Sequence, residues 1–148
     1  MTSAPTLYDE DIILWSEHQA DLVRRLAAGE PMNETPDWSN IVEEIESVGN
    51  EQRHAVESLL LQAMLHMIKA EAWPDCRDVD HWLDEARLFR AQATARFVPS
   101  MRQRIDMTRL WRLALRAVPR RIDGQPPLPV PQTCPMTLDQ LQGSSLNN

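Results

Sequence analysis

The chain has 148 residues, of which 43% are hydrophobic and 25% charged, and its formal net charge is −7. This is ordinary globular composition at a length that supports one cored domain, which excludes a disordered or fibrous chain. No run approaches the roughly 20 apolar residues that span a bilayer, which excludes a membrane helix.

A single helical domain over residues 1–148 is expected, with flexible tails at 1–5 and 143–148. The opening MTSAPTLYDED has neither the basic lead nor the apolar stretch of a secretory leader. Cys76 and Cys134 have no metal-binding or disulfide-framework spacing. Free thiols in a reducing, cytoplasmic setting are the expectation, with no cofactor motif. Charge is unevenly spread: residues 1–85 carry 19 acidic and 5 basic side chains, residues 86–148 carry 3 and 10. Opposite halves of this kind attract each other, within one chain or between two subunits.

In chain order, Thr6 and the acidic Asp9, Glu10 and Asp11 open a first helix that runs to about Ala28. Ile12, Trp15, Gln19, Leu22 and Leu26 recur three or four residues apart. Arg24 and Arg25 suit its negative end, and Gly29 stops it. After a short loop, Thr35-Pro36-Asp37 reads as a cap and a first turn. Trp38, Ile41, Val42, Ile45 and Val48 form one apolar stripe. Gly49-Asn50 predicts a kink or break, since glycine in a helix interior costs about 1 kcal/mol relative to alanine.

A second segment, from about Glu51 to Ala72, is apolar on most sides through Val56, Leu59, Leu60, Ala63, Met64, Met67 and Ile68, which places it centrally. Gln62, His66 and Lys69 share one strip of it. The site reading makes His66 a base or ligand, Lys69 an anion holder and Glu44 the partner carboxylate. The plainer reading is a hydrogen-bonded network that fixes helix register, and buried polar groups are most often of that kind. Glu51 and His54 match the Glu-x-x-His spacing of di-iron bundles. Such sites need two of these motifs and two further carboxylates, and only one motif is present, so no metal is expected.

Trp73 to Arg77 is a turn. A third helix starts near Asp78 or Asp80 and runs to about Phe97 on Trp82, Ala86, Phe89 and Ala93. A fourth covers about Ser100 to Val118 on Met107, Leu110, Trp111, Ala114 and Leu115. Arg109, Arg112 and Arg116 share a face of it with Arg102. A helical arginine row can neutralise phosphates, but the chain is acidic and exposed aromatics do not interleave. Pairing with carboxylates of the earlier helices is the favoured reading, and nucleic acid a lesser one. Asp123-Gly124 turns the chain. Pro126, Pro127, Pro129, Pro131 and Pro135 then make an extended strap. Thr137-Leu138-Asp139-Gln140 is a capping box that starts one last helical turn.

The segments LYDEDIILWSEHQADLVRRL, DWSNIVEEIESVGNEQRHAVESLLLQAMLHMIKAEAWP and TCPMTLDQLQG resemble the bacterial family called domain of unknown function 29. The likeness runs from Leu7 to Leu141. Its most specific block is Asp-Trp…Glu-Glu-Ile-Glu…Gly followed by His66-x-x-Lys69. One departure is Met136, where the family commonly has an aromatic residue. The resemblance implies an all-helical cytoplasmic fold and no activity. It singles out Glu44, His66 and Lys69 as the first places to look.

The fold class expected is therefore all-α: an antiparallel four- to five-helix bundle with a proline-rich strap and a short C-terminal helix. The function expected is a non-catalytic protein-interaction or self-association module, as a homo-oligomer or with a protein partner. A hydrolase-type or small-ligand site at His66, Lys69 and Glu44 is the alternative. Nucleic-acid binding through the Arg102–Arg121 segment is the third reading.

Overall fold

The computed structural model describes residues 6–143. The expected tails at 1–5 and 143–148 lie outside those residues apart from Gly143, whose N–H donates to the Gln140 carbonyl. The fold is all-α, with six α-helices and one 3-10 turn among the described residues. The chain divides into two compact units, one up to Gly49 and one from Asn50 onward.

The first unit holds α1 (Leu7–Glu10), α2 (Ile12–Ala27) and the leading turns of α3 (Trp38–Ala72). The helix expected to be continuous from Leu7 is split at Asp11. This residue leaves the helical region (φ −150°, ψ 88°), and its carboxylate accepts the Leu14 N–H at 3.0 Å, so it caps α2 instead of continuing α1. The end of α2 is a Schellman motif built on Gly29 at φ +76°. Gly29 N–H donates to the Leu26 carbonyl (3.0 Å) and Glu30 N–H to the Arg25 carbonyl (3.2 Å). Arg25 Nε closes the same turn on Glu30 at 2.9 Å.

Two boundaries of the central stretch differ from expectation. The helix begins at Trp38, after Pro36 and Asp37, because Asp37 is taken up by contacts described below. It then runs 35 residues without a break. Gly49 keeps ordinary helical backbone, as only Gly29, Gly124 and Gly143 have positive φ among the described glycines. The propensity cost of one glycine is small beside the hydrogen bonds that a continuous helix retains on both sides.

The second unit is built round the rest of α3. Val56, Leu60, Met64 and Ile68 follow one another every four residues and are fully buried. They pack with Ala93 of α4 (Val79–Arg96), Leu110, Trp111 and Ala114 of α5 (Met107–Ala117), and Leu138 and Leu141 of α6 (Leu138–Leu141). A second cluster joins Ala70, Ala72 and Trp73 to Trp82. The expected helix from Ser100 is shorter at its start: Pro99–Met101 is a 3-10 turn, and α5 begins only after Asp106, whose carboxylate accepts the Arg109 N–H at 3.1 Å.

The proline strap lies along this unit. Trp73 Nε1 donates to the Gln125 carbonyl and Trp111 Nε1 to the Pro131 carbonyl, each at 2.9 Å, and Leu128 N–H reaches the Ala72 carbonyl at 2.9 Å. Thr137 and Gln140 form a reciprocal capping box at the head of α6. Arg90 of α4 holds its tail by donating to the carbonyls of Gln140 and Leu141.

Candidate functional site

The polar residues of the first unit tie α1 and α2 to the head of α3. Asp37 is the centre of this knot. Its Oδ2 accepts Trp15 Nε1 at 3.1 Å and Asn40 Nδ2 at 2.7 Å, and its own N–H donates to Gln19 Oε1 at 2.7 Å. The donors from Asn40 and Trp15 hold its carboxyl below the usual range. Tyr8 donates to Glu44 Oε1 at 2.6 Å, and that bond to a carboxylate pushes the phenol up to about 12. The Tyr8 and Trp15 rings meet edge to face with centroids 4.8 Å apart. His18 Nε2 lies 2.7 Å from Glu34.

Beside this knot the same unit leaves apolar surface open. Ile12, Ile13, Leu14 and Leu26 on α2, and Trp38, Val42, Ile45 and Val48 on α3, are all exposed; Ile13 and Ile45 are 70% and 68% accessible. A groove of about 390 Å³ runs between the two helices, lined by Trp15, Ser16, Ala20, Val23 and Arg24 on one side and Ile41, Glu44 and Ile45 on the other. The stripe Trp38, Ile41, Val42, Ile45, Val48 read from the sequence is therefore real, but most of it is uncovered.

The strip expected on the innermost helix belongs to the second unit. His66 is half-buried; its Nδ1 is 2.7 Å from the Gln62 carbonyl one turn back, which requires the ring to donate from that nitrogen. Its ring lies 5.5 Å from Phe89. Lys69 Nζ sits 4.7 Å from the centre of the Trp82 ring, a cation–π contact. The carboxylate assigned to this group, Glu44, belongs to the first unit, where it takes the Tyr8 hydrogen bond. Glu51 and His54 are exposed, and no three His, Cys, Asp or Glu side chains cluster as metal ligands among the described residues.

Of the arginine row, Arg109 Nη2 donates to Glu57 Oε2 at 2.9 Å, while Arg53 Nε stands 3.5 Å from the other oxygen. Glu57 is a buried carboxylate between two guanidinium groups. The sequence signal for Glu57 is Arg53 four residues before it on the same helix face; the long-range partner Arg109 has no local signature. Arg102 pairs with Asp139, and Arg112 and Arg116 face solvent.

A cleft of about 640 Å³ lies between the Trp73–Arg77 turn and the start of the strap, lined among others by Cys76, Asp123, Ile122 and Leu128. Asp123 (φ 51°) and Gly124 (φ 76°) make the tight turn that two hydrogen bonds between Ile122 and Gln125 close. Cys76 Sγ is 3.8 Å from Asp123 Oδ2.

The model of the family described as "Domain of unknown function DUF29" matches residues 7–145, nearly the whole chain. The chain belongs to the DUF29 family. No curated protein matches it. Among solved structures, the DUF29 chain is similar to an alpha-helical protein of unknown function from Rhodospirillum rubrum. The two are 24% identical with a TM-score of 0.62, over 98% of this chain and 94% of the other. That likeness concerns the fold. No helix among the described residues of the DUF29 chain is long and apolar enough to cross a membrane.

Proposed function

We infer that this DUF29 chain is a non-catalytic protein-interaction module whose working surface is the apolar face of its first unit. One observation supports this reading: of thirteen large hydrophobic side chains exposed among the described residues, nine fall between Leu7 and Val48. The second unit buries its own apolar side chains around Leu60 and Met64. The first has few buried ones, chiefly Trp15 and Leu22. Contiguous exposed apolar surface is characteristic of sites that bind another macromolecule.

The reading as a small-ligand site at His66, Lys69 and Glu44 draws less support, since each group already has a partner of its own: a backbone carbonyl, a tryptophan face and a tyrosine hydroxyl. Nucleic-acid binding draws less as well, because Arg109 is engaged with Glu57.

The test is cross-linking mass spectrometry on protein in lysate of its native host, with photoreactive groups placed at Val42 or Ile45 and, separately, at Leu88 or Leu128. Cross-links to protein concentrated on the first pair are expected. Equal yield at all four positions, or none at the first pair, would remove the reading.

A further inference from the structure

The occupant of that face can be named by its chemistry, an inference that rests on reading the first unit as an interaction surface. The groove between α2 and the head of α3 is lined on both sides by residues at helical spacing. Ser16 and Ala20, four residues apart, line its α2 side; small side chains at that spacing let another helix approach closely. Ile41 and Ile45, also four apart, supply apolar contact from α3. Amphipathic helices bind in grooves of this kind through anchors three and four residues apart.

The charge around the groove narrows the occupant further. Residues 1–49 carry 11 acidic side chains and 2 basic ones. Arg24, which lines the groove, lies 3.7 Å from Asp21, and Arg25 lies 3.9 Å from Asp21 and 2.9 Å from Glu30, so each cation sits beside a carboxylate of the same unit. Glu44 lines the groove beside Ile45, and Glu17, Asp21 and Glu46 lie elsewhere on the same two helices, so the surroundings of the groove are acidic. A second copy of the same face would bring two acidic rims together. A helix with basic flanks would offset that charge while burying Ile41 and Ile45.

We propose that this groove receives an amphipathic helix of a partner protein, with an apolar stripe flanked by lysine and arginine. The experiment uses the full chain and three labelled synthetic peptides of about five helical turns, read by fluorescence anisotropy. One has a leucine stripe with Lys/Arg flanks, one the same stripe with glutamate flanks, and one the basic composition scrambled so that no stripe forms. Sedimentation of the chain alone and a phosphatidylcholine vesicle flotation run in parallel.

The basic striped peptide should bind, more weakly as salt rises. Ala20→Trp, which fills the groove, and Ile45→Ser, which removes an anchor, should each weaken binding by about tenfold or more. Leu128→Ser, in the second unit, should leave it unchanged. Circular dichroism confirms that each variant is folded. Equal binding of acidic and basic striped peptides, or of the scrambled one, overturns the proposal while the interaction reading stands. Self-association blocked by Ala20→Trp, with no peptide bound, makes a second copy the occupant and also overturns it. Flotation with vesicles in place of peptide binding does the same. No peptide bound, no association and no flotation overturns the proposal, and cross-linking at Val42 and Ile45 then decides the interaction reading.

Discussion

Replacing Gly49 by alanine tests the continuity of α3 directly. Gly49 is exposed, lies inside a 35-residue helix, lacks positive φ, and an added Cβ would meet no atom within 4 Å. Nothing in the folded state opposes the methyl group, so only backbone entropy and helix propensity remain. Together they favour alanine by about 0.4–1 kcal/mol. In a chain of this size that is a rise of roughly 1–4 °C in Tm. The assay is thermal and urea unfolding followed by far-ultraviolet circular dichroism, with hydrogen exchange at the amides from Ile45 to Arg53 as the local readout. Those amides should gain protection. Gly29→Ala is the contrasting control: at φ +76° the new side chain is strained in its Schellman turn, and about 1 kcal/mol should be lost. If Gly49→Ala lowers stability as Gly29→Ala does, or leaves the local amides unprotected, α3 is broken in solution where the structure shows it whole.

Further outcomes follow from the polar contacts and the core. Arg109→Ala and Glu57→Ala should not be additive. Because Arg109 is half-exposed and Arg53 remains near Glu57, the coupling should be about 1–2 kcal/mol rather than the larger value of a fully buried pair; a double-mutant cycle in urea measures it. Met64→Ala empties a fully buried position against α5 and should cost about 2–5 kcal/mol by the same melts. Tyr8 is the only tyrosine in the chain, so its ionisation can be followed by ultraviolet difference absorbance, with a midpoint near 12 expected. Its folded value lies above the unfolded one of 10.0, so its contribution is complete below pH 10 and is lost as pH rises towards 12; Tyr8→Phe should remove that alkaline dependence. For Asp37 the sign reverses. A depressed carboxyl stabilises above its ordinary value of 3.8 and loses that effect as pH falls below it, so Asp37→Asn should flatten the acid limb of a pH–stability curve.

The parts of the fold that periodicity controls were legible in the residues. The α4 range, the buried Val56–Leu60–Met64–Ile68 row, the Asp123-Gly124 turn and the Thr137 capping box all follow from local spacing and turn chemistry, and the structure has each of them. The helix starts were read less well. Asp11 and Asp106 are both capping residues inside stretches that look helical throughout, and one capping bond outweighed the pattern in each case. Gly49 departs in the other direction: its propensity cost is real but too small to break a helix held on both sides. The knot of Tyr8, Trp15, Gln19, Asp37 and Glu44 could not be read at all. Its partners are 18 to 36 residues apart, and no helical spacing encodes such pairs. The exposure of the Trp38–Val48 stripe was hidden for a related reason: an apolar stripe predicts that something covers it, and says nothing of which molecule does.

The strap carries a consequence for how the last helix stays in place. Five prolines between Pro126 and Pro135 leave that backbone few alternative shapes, so less disorder is surrendered when it docks. Trp73 and Trp111 each spend an indole N–H on it. A protease cut beside Pro131 would strand the Trp111 donor in apolar surroundings and leave α6 held only through Arg90 and the packing of Leu138 and Leu141. The nicked protein should then expose greasy surface and precipitate, rather than persist as a trimmed but sound fragment.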